Sequence, residues 1–171
     1  MAIIHELLYA NENFSYINLE QMVGSLCKKV ENDFVKQGKI YFELDIEPIN
    51  LNINTAIPLA LMVNEIIGYS LIEVSQNDKK NPIKISLKKR KKDILLSISH
   101  NRKQNEVVNP LENEDSFSMT IVKVLADQIK GNLCFNYDDG ACWEITFNDS
   151  MTKGSSSTLV EKDISNSHIN I

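Results

Sequence analysis

With 171 residues, 43% of them apolar, the chain is long enough for one domain with a buried core and too apolar to be disordered throughout. A formal net charge of −5 excludes a general electrostatic pull toward nucleic acid or anionic lipid. The longest apolar runs are far shorter than a membrane span, and three cysteines without paired spacing (Cys27, Cys134 and Cys142) predict buried thiols in a reducing compartment, the cytoplasm.

Residues 2–10 suit a short helix. Asn18 is placed to cap a longer one over residues 19–36, where Leu19, Met22, Val23, Leu26, Val30 and Phe34 recur at helical spacing until Gly38. Ile40, Phe42, Leu44 and Ile46 alternate with polar residues and predict a half-buried strand that Pro48 ends; Leu51 and Ile53 suggest a second, shorter one. A helix starting near Thr55 tolerates Pro58 in its first turn and carries an apolar stripe of Ala60, Val63, Ile67, Ser70, Leu71 and Val74. Residues 83–87 and 94–98 then alternate around Lys88-Lys89-Arg90-Lys91-Lys92, which reads as a solvated hairpin turn.

Residues 100–116 lack periodicity and read as a long polar loop. Ile121, Val122, Leu125 and Ile129 predict the buried face of a helix over 117–130, ended by Gly131. A closing hairpin follows, 133–137 and 143–147, around Asp138-Asp139-Gly140. From Ser150 the composition predicts a disordered tail. The element order suits an α/β (α+β) two-layer sandwich, a mixed sheet with helices on one face.

Ala56-Ile57-Pro58-Leu59-Ala60-Leu61-Met62-Val63-Asn64-Glu65, the strand ending Ile98-Ser99-His100-Asn101, the helix from Phe117 and the closing Gly140-Ala141-Cys142-Trp143 follow one another in a telling order. Together they resemble the ATP-binding domain of sensor histidine kinases, of the gyrase, chaperone, histidine-kinase and mismatch-repair ATPase fold. The subfamily resembled is the HWE-like one whose helix reads AIPLGLIVNELVTNALKHAF. Met1 to Tyr9 resembles the end of that subfamily's dimerisation region, MALIHEKLY, but the HRVKNNL-like phosphoacceptor motif is absent, so His5 is not the matching histidine. The implied layout is a dimerisation remnant over 1–16, an ATPase-like domain over 17–149 and the tail over 150–171.

The resemblance implies nucleotide-site positions at Asn64, Tyr69, His100, Asn101, Ser118, Met119 and Gly140, with Glu65 as the catalytic candidate and no metal site of the chain's own. Tyr69 stands where the family has a magnesium-binding asparagine, and a phenol is a poor substitute for the hard oxygen ligands Mg²⁺ favours. Glu65 and Tyr69, four residues apart, share a helix face away from the apolar stripe. His100-Asn101-Arg102 replaces Asp-Asn-Gly; neutral imidazole has one acceptor nitrogen and no charge for an adenine amino group. A lone histidine at a strand end reads more readily as a surface residue. The separation from His100 to Ser118 matches the family's, yet Ser118-Met119 stands for Gly-Leu, and only Gly140 survives of Gly-Gly-Thr.

These substitutions predict a degenerate catalytic domain, impaired as an enzyme and retained as a regulatory or protein-binding module in two-component signalling. ATP and Mg²⁺ are its cofactors only if the site works; its expected partners are a histidine kinase or response regulator, with a possible homodimer and neither nucleic acid nor membrane. The competing expectations are an active kinase part that phosphorylates a histidine on another chain or on a missing upstream helix, and an anti-sigma-type switch on the same fold.

Overall fold

Strand alternation decides which face of the sheet becomes the core. The computed structural model describes residues 15–34, 40–75, 81–101, 109–113, 115–137 and 140–148. The predicted segments over 1–10 and 150–171 lie outside them. The elements are β1 (Tyr16–Asn18), α1 (Leu19–Phe34), β2 (Ile40–Ile46), β3 (Asn50–Asn52), α2 (Ile53–Ser75), β4 (Asn81–Arg90), β5 (Asp93–His100), α3 (Phe117–Gln128), β6 (Asn132–Asn136) and β7 (Ala141–Phe147).

Five strands form a mixed sheet in the order β2-β4-β5-β7-β6. β2 and β4 are parallel because α2 carries the chain back between them, whereas β4–β5, β5–β7 and β6–β7 are antiparallel. Ile83, Ile85 and Leu87 of β4, Ile94, Leu96 and Ile98 of β5, and Trp143, Ile145 and Phe147 of β7 share the buried face. Helices cover that face, which is the expected α+β sandwich. The opposite face carries Lys84, Ser86, Ser97, Ser99 and Glu144, and its cross-strand ion pairs, Lys84–Glu43 at 3.5 Å and Lys88–Asp45 at 2.6 Å, are exposed and individually weak.

Asn18 caps α1 as predicted, its Oδ1 accepting the Gln21 N–H at 3.0 Å. Leu19, Met22, Val23 and Leu26 are buried, joined by Cys27. β2 is an edge strand, so Leu44, expected inside, remains 44% exposed. Glu31 of α1 covers part of that edge by accepting the Phe42 N–H at 3.2 Å.

Sequence reading missed β1, which pairs antiparallel with β3 (Ile17 opposite Leu51). Strands of three residues are too short to show a period. Ile53 is not in a strand: its N–H reaches the Ser15 carbonyl at 3.1 Å and α2 begins there. Pro58 therefore sits inside the helix rather than in its first turn, where it removes one main-chain hydrogen bond. By length and composition α2 would pass for a membrane-crossing helix. Here it is the central core helix, with Ala56, Leu59, Met62 and Ile66 buried beside the whole predicted stripe.

α3 packs through Met119, Val122, Ala126 and Ile129; Ile121 and Leu125, expected inside, are half-buried on its flank. The left-handed residue that ends this helix is Lys130 (φ 53), not Gly131. The Gly131 N–H then closes onto the Ala126 carbonyl at 2.8 Å. The β4–β5 turn shrinks to Lys91–Lys92, and the polar loop contains a 3-10 turn, Pro110–Glu112, capped by Asn109.

All three cysteines are free, but only Cys27 is buried; Cys134 and Cys142 are half-buried. Burial, and secondarily the Glu31 carboxylate, push the Cys27 thiol up to about 12 from its usual 9.0. An acid whose folded pKa is raised stabilises the fold below its unfolded pKa and loses that contribution as pH rises toward the folded value. Unfolding measurements between those two pH values are expected to show wild-type stability falling faster than that of Cys27→Ala, by about 1.4 kcal/mol per pH unit. Parallel slopes would show that this thiol ionises freely in the folded protein.

Candidate functional site

The end of the sheet where β5 stops and β7 begins gathers most of the singled-out residues. Alternation along β5 places His100 on the same face as Ile94, Leu96 and Ile98, so it is buried (3% exposed) rather than at the surface. It lies opposite Ile83 and Ala141 in the two neighbouring strands. Asn101 follows, exposed. Gly140 packs directly against this pair: at φ +114, a Cβ placed on it would sit 2.6 Å from the His100 carbonyl oxygen and 3.4 Å from the Asn101 Cα. Only glycine takes that conformation and approach without strain.

Two residues further along β7, Trp143 is fully buried opposite Ile98, diagonal to His100 on the same face. Tyr69 of α2 meets it edge-on, with ring centroids 5.6 Å apart at 78°. Phe135 of β6 lies 4.7 Å from Trp143, and Tyr137 lies 6.5 Å from Phe135. Tyr69 is therefore not on a face turned away from the core. The ring is long enough to reach from the helix flank over the sheet, where it joins the core cluster.

Glu65 lies one helical turn earlier, about 6 Å along the axis. It is half-buried, and its Oε1 accepts from Nδ2 of the exposed Asn64 at 3.4 Å. Among the described residues no group of three or more His, Cys, Asp or Glu side chains is arranged to hold a metal ion.

α2 ends beside the start of β4, and α3 leads into β6 at the opposite end of the sheet, so the two helices run antiparallel. The amino-terminal end of α3 therefore lies at the His100 end. Ser116 caps it, its Oγ accepting the Met119 N–H at 3.3 Å, while its carbonyl accepts the Thr120 N–H at 3.0 Å. The Met119 amide is thus occupied by protein and its side chain is buried in the core; Ser118 is half-buried.

The structure brings His100, Asn101 and Gly140 into contact, places Tyr69 against the adjoining Trp143, and leaves Met119 as a packing residue. Sequence reasoning passed over Trp143, Phe135 and Ser70 as site features. The signal was legible in part: the only tryptophan stands three residues after Gly140, on the apolar face of a predicted strand. Its Nε1 and the Ser70 Oγ are buried without a hydrogen-bond partner among the described residues.

No family model matches this chain, and no curated protein matches it in sequence. Solved structures do. The histidine kinase domain of the blue-light activated histidine kinase from Erythrobacter litoralis superposes with a TM-score of 0.73 at 13% identity, over 87% of this chain and 71% of that one. With the longer blue-light activated histidine kinase from the same organism the TM-score is 0.74 at 14% identity, over 89% of this chain but 52% of the other, about half its length. Acinetobacter baumannii histidine kinase AdeS gives 0.65 at 13% identity, over 87% and 75%. Identities this low carry fold rather than chemistry: the chain has the α+β fold of histidine-kinase catalytic domains.

Proposed function

We propose that this domain is a degenerate histidine-kinase catalytic fold, working in two-component signalling as a non-catalytic regulatory or protein-binding module. The observation that carries this is Tyr69. It stands where the resemblance puts a magnesium-binding asparagine, and its ring is packed edge-on against buried Trp143. Two further features support the reading, beside the poor ligand chemistry of Tyr69 itself. His100, in place of a carboxylate, is buried in the core face; Met119 spends its amide on the Ser116 cap and its side chain on packing; Tyr69 offers no carboxylate or carbonyl oxygen to Mg²⁺. These residues do not fit Mg-nucleotide.

Each missing charged hydrogen bond weakens binding by about 1.5–3 kcal/mol, roughly ten- to a hundredfold. Losing the adenine, metal and phosphate anchors together moves ATP far outside a useful range. Calorimetry with Mg-ATP and Mg-ADP is expected to show no binding below about millimolar concentration. Low-micromolar binding of either nucleotide would overturn the proposal. The partner on this reading is a histidine kinase or response regulator in the cytoplasm, with a homodimer as the alternative assembly.

Two observations favour a working kinase: Glu65 is half-buried and accepts from Asn64, and Gly140 still makes its close turn against His100. That reading requires phosphate transfer from ATP to a histidine on another chain or on a missing upstream helix, abolished by Glu65→Ala. No transfer to any tested acceptor counts against it.

A further inference from the structure

The β4–β5 hairpin ends in Lys88-Lys89-Arg90-Lys91-Lys92, five consecutive cations in a chain whose net charge is −5. Its composition reads as a solvated turn, and three structural features go beyond that. Lys88 is tied to Asp45 at 2.6 Å, whereas Lys89, Arg90, Lys91 and Lys92 are exposed, and among the described residues no ion pair engages them. Of the three described carboxylates at this end only Asp45 pairs with a lysine, so the four exposed cations still outnumber the two charges left on Glu47 and Asp93. Asp45 holds Lys88, Glu47 accepts the Lys89 backbone N–H at 2.9 Å, and Asp93 accepts from Asn148 Nδ2 at 3.4 Å.

The tip is also held in place. The Glu47 contact and a ladder that continues to Arg90 opposite Asp93 fix its backbone, so little ordering is left to be done on binding. Finally, Lys91 occupies φ 58, a turn conformation that glycine, asparagine and aspartate adopt with less strain. The chain keeps a lysine there against both backbone preference and repulsion from its neighbours. The tip and His100 lie at opposite ends of β5, about 23 Å apart at the usual strand rise, so nothing here depends on the state of the candidate site.

We infer that this hairpin tip is a docking point for a compact acidic patch on a partner protein. A lipid surface fits less well, because among the described residues no exposed apolar side chain stands beside the cations to enter a bilayer, and neighbouring Ile94 is only 3% exposed. A nucleic acid fits less well, because residues 88–93 carry no aromatic ring for stacking. The acidic remainder of the domain also repels a long polyanion. A short cluster of carboxylates meets the four exposed cations without reaching that remainder.

The test uses the full chain and three probes: a labelled peptide of only Asp and Glu, phosphatidylserine vesicles, and a short DNA duplex. The peptide is expected to bind at low salt and weaken by about tenfold or more on passing to about 0.5 M, as screening shortens the reach of each charge. Lys89→Glu/Arg90→Glu/Lys92→Glu is expected to weaken it at least about tenfold with an unchanged thermal melt. Lys91→Gly, which relieves the turn but removes one of the four exposed cations, is expected to weaken peptide binding by about two- to fivefold, and unchanged affinity would show that this lysine takes no part. Failure of the peptide to bind, equal affinity for the triple variant, or tighter binding of vesicles or duplex than of peptide at about 0.15 M salt each overturns the inference.

Discussion

Trp143→Ala is expected to lower unfolding free energy by about 3–5 kcal/mol, the range for truncating a fully buried aromatic side chain. Trp143 is 0% exposed and stands where three elements meet: Tyr69 of α2 against its edge, Phe135 of β6 beside it, and Ile98 of β5 across the ladder. Removing it leaves a cavity that a helix and two strands would have to collapse to fill. Against a total stability of about 5–15 kcal/mol, this is a large fraction. It should appear as a melting temperature roughly 10–20 °C lower.

Trp143→Phe separates packing from hydrogen bonding. The indole N–H is buried without a partner among the described residues, and an unsatisfied donor carries a desolvation cost of about 1–3 kcal/mol. Phenylalanine loses volume but also that cost, so its net effect is expected to be well below that of alanine. Chemical denaturation read by far-UV circular dichroism measures both. A Trp143→Ala protein as stable as wild type would show that the aromatic cluster does not hold the helix layer to the sheet.

Gly140→Ala is the second large effect, at about 1–3 kcal/mol, and it arises from backbone rather than side-chain packing. At φ +114 any Cβ is strained, and here the new atom would sit 2.6 Å from the His100 carbonyl oxygen. That oxygen belongs to main chain already fixed by pairing on both sides, so it has little room to yield. Gly68→Ala is the matched control. It lies in α2 with nothing within 4 Å of the added Cβ, so the same change there is expected to stabilise by about 0.5–1 kcal/mol. Equal effects at the two positions would refute the claim that Gly140 is required by its turn.

Such contrasts explain which parts of the site were legible beforehand. Spacing alone was enough to bring Gly140 and His100-Asn101 together, because a closing hairpin beside the strand ending at His100 leaves them little choice. Burial of His100 was also encoded, in the period-2 pattern of Ile94, Leu96 and Ile98, but its position at a strand end suggested solvent. Tyr69 was beyond reach. A helical wheel places its Cα on the flank, and only the distance to the sheet decides whether a phenol turns to water or covers Trp143.

The sequence by itself determined the order of the longer elements, the buried stripe of α2, the cap of α1, and the frame shared with histidine-kinase domains, because periodicity and turn chemistry are local properties. Tertiary structure alone decided that Tyr16–Asn18 pairs with Asn50–Asn52, that Lys130 rather than Gly131 takes the left-handed position, and that Tyr69 faces Trp143. The strand pairing and the Tyr69 contact depend on residues distant in the chain, whose energies no local pattern records, and the Lys130 turn is set by how the helix end closes onto the Ala126 and Asp127 carbonyls.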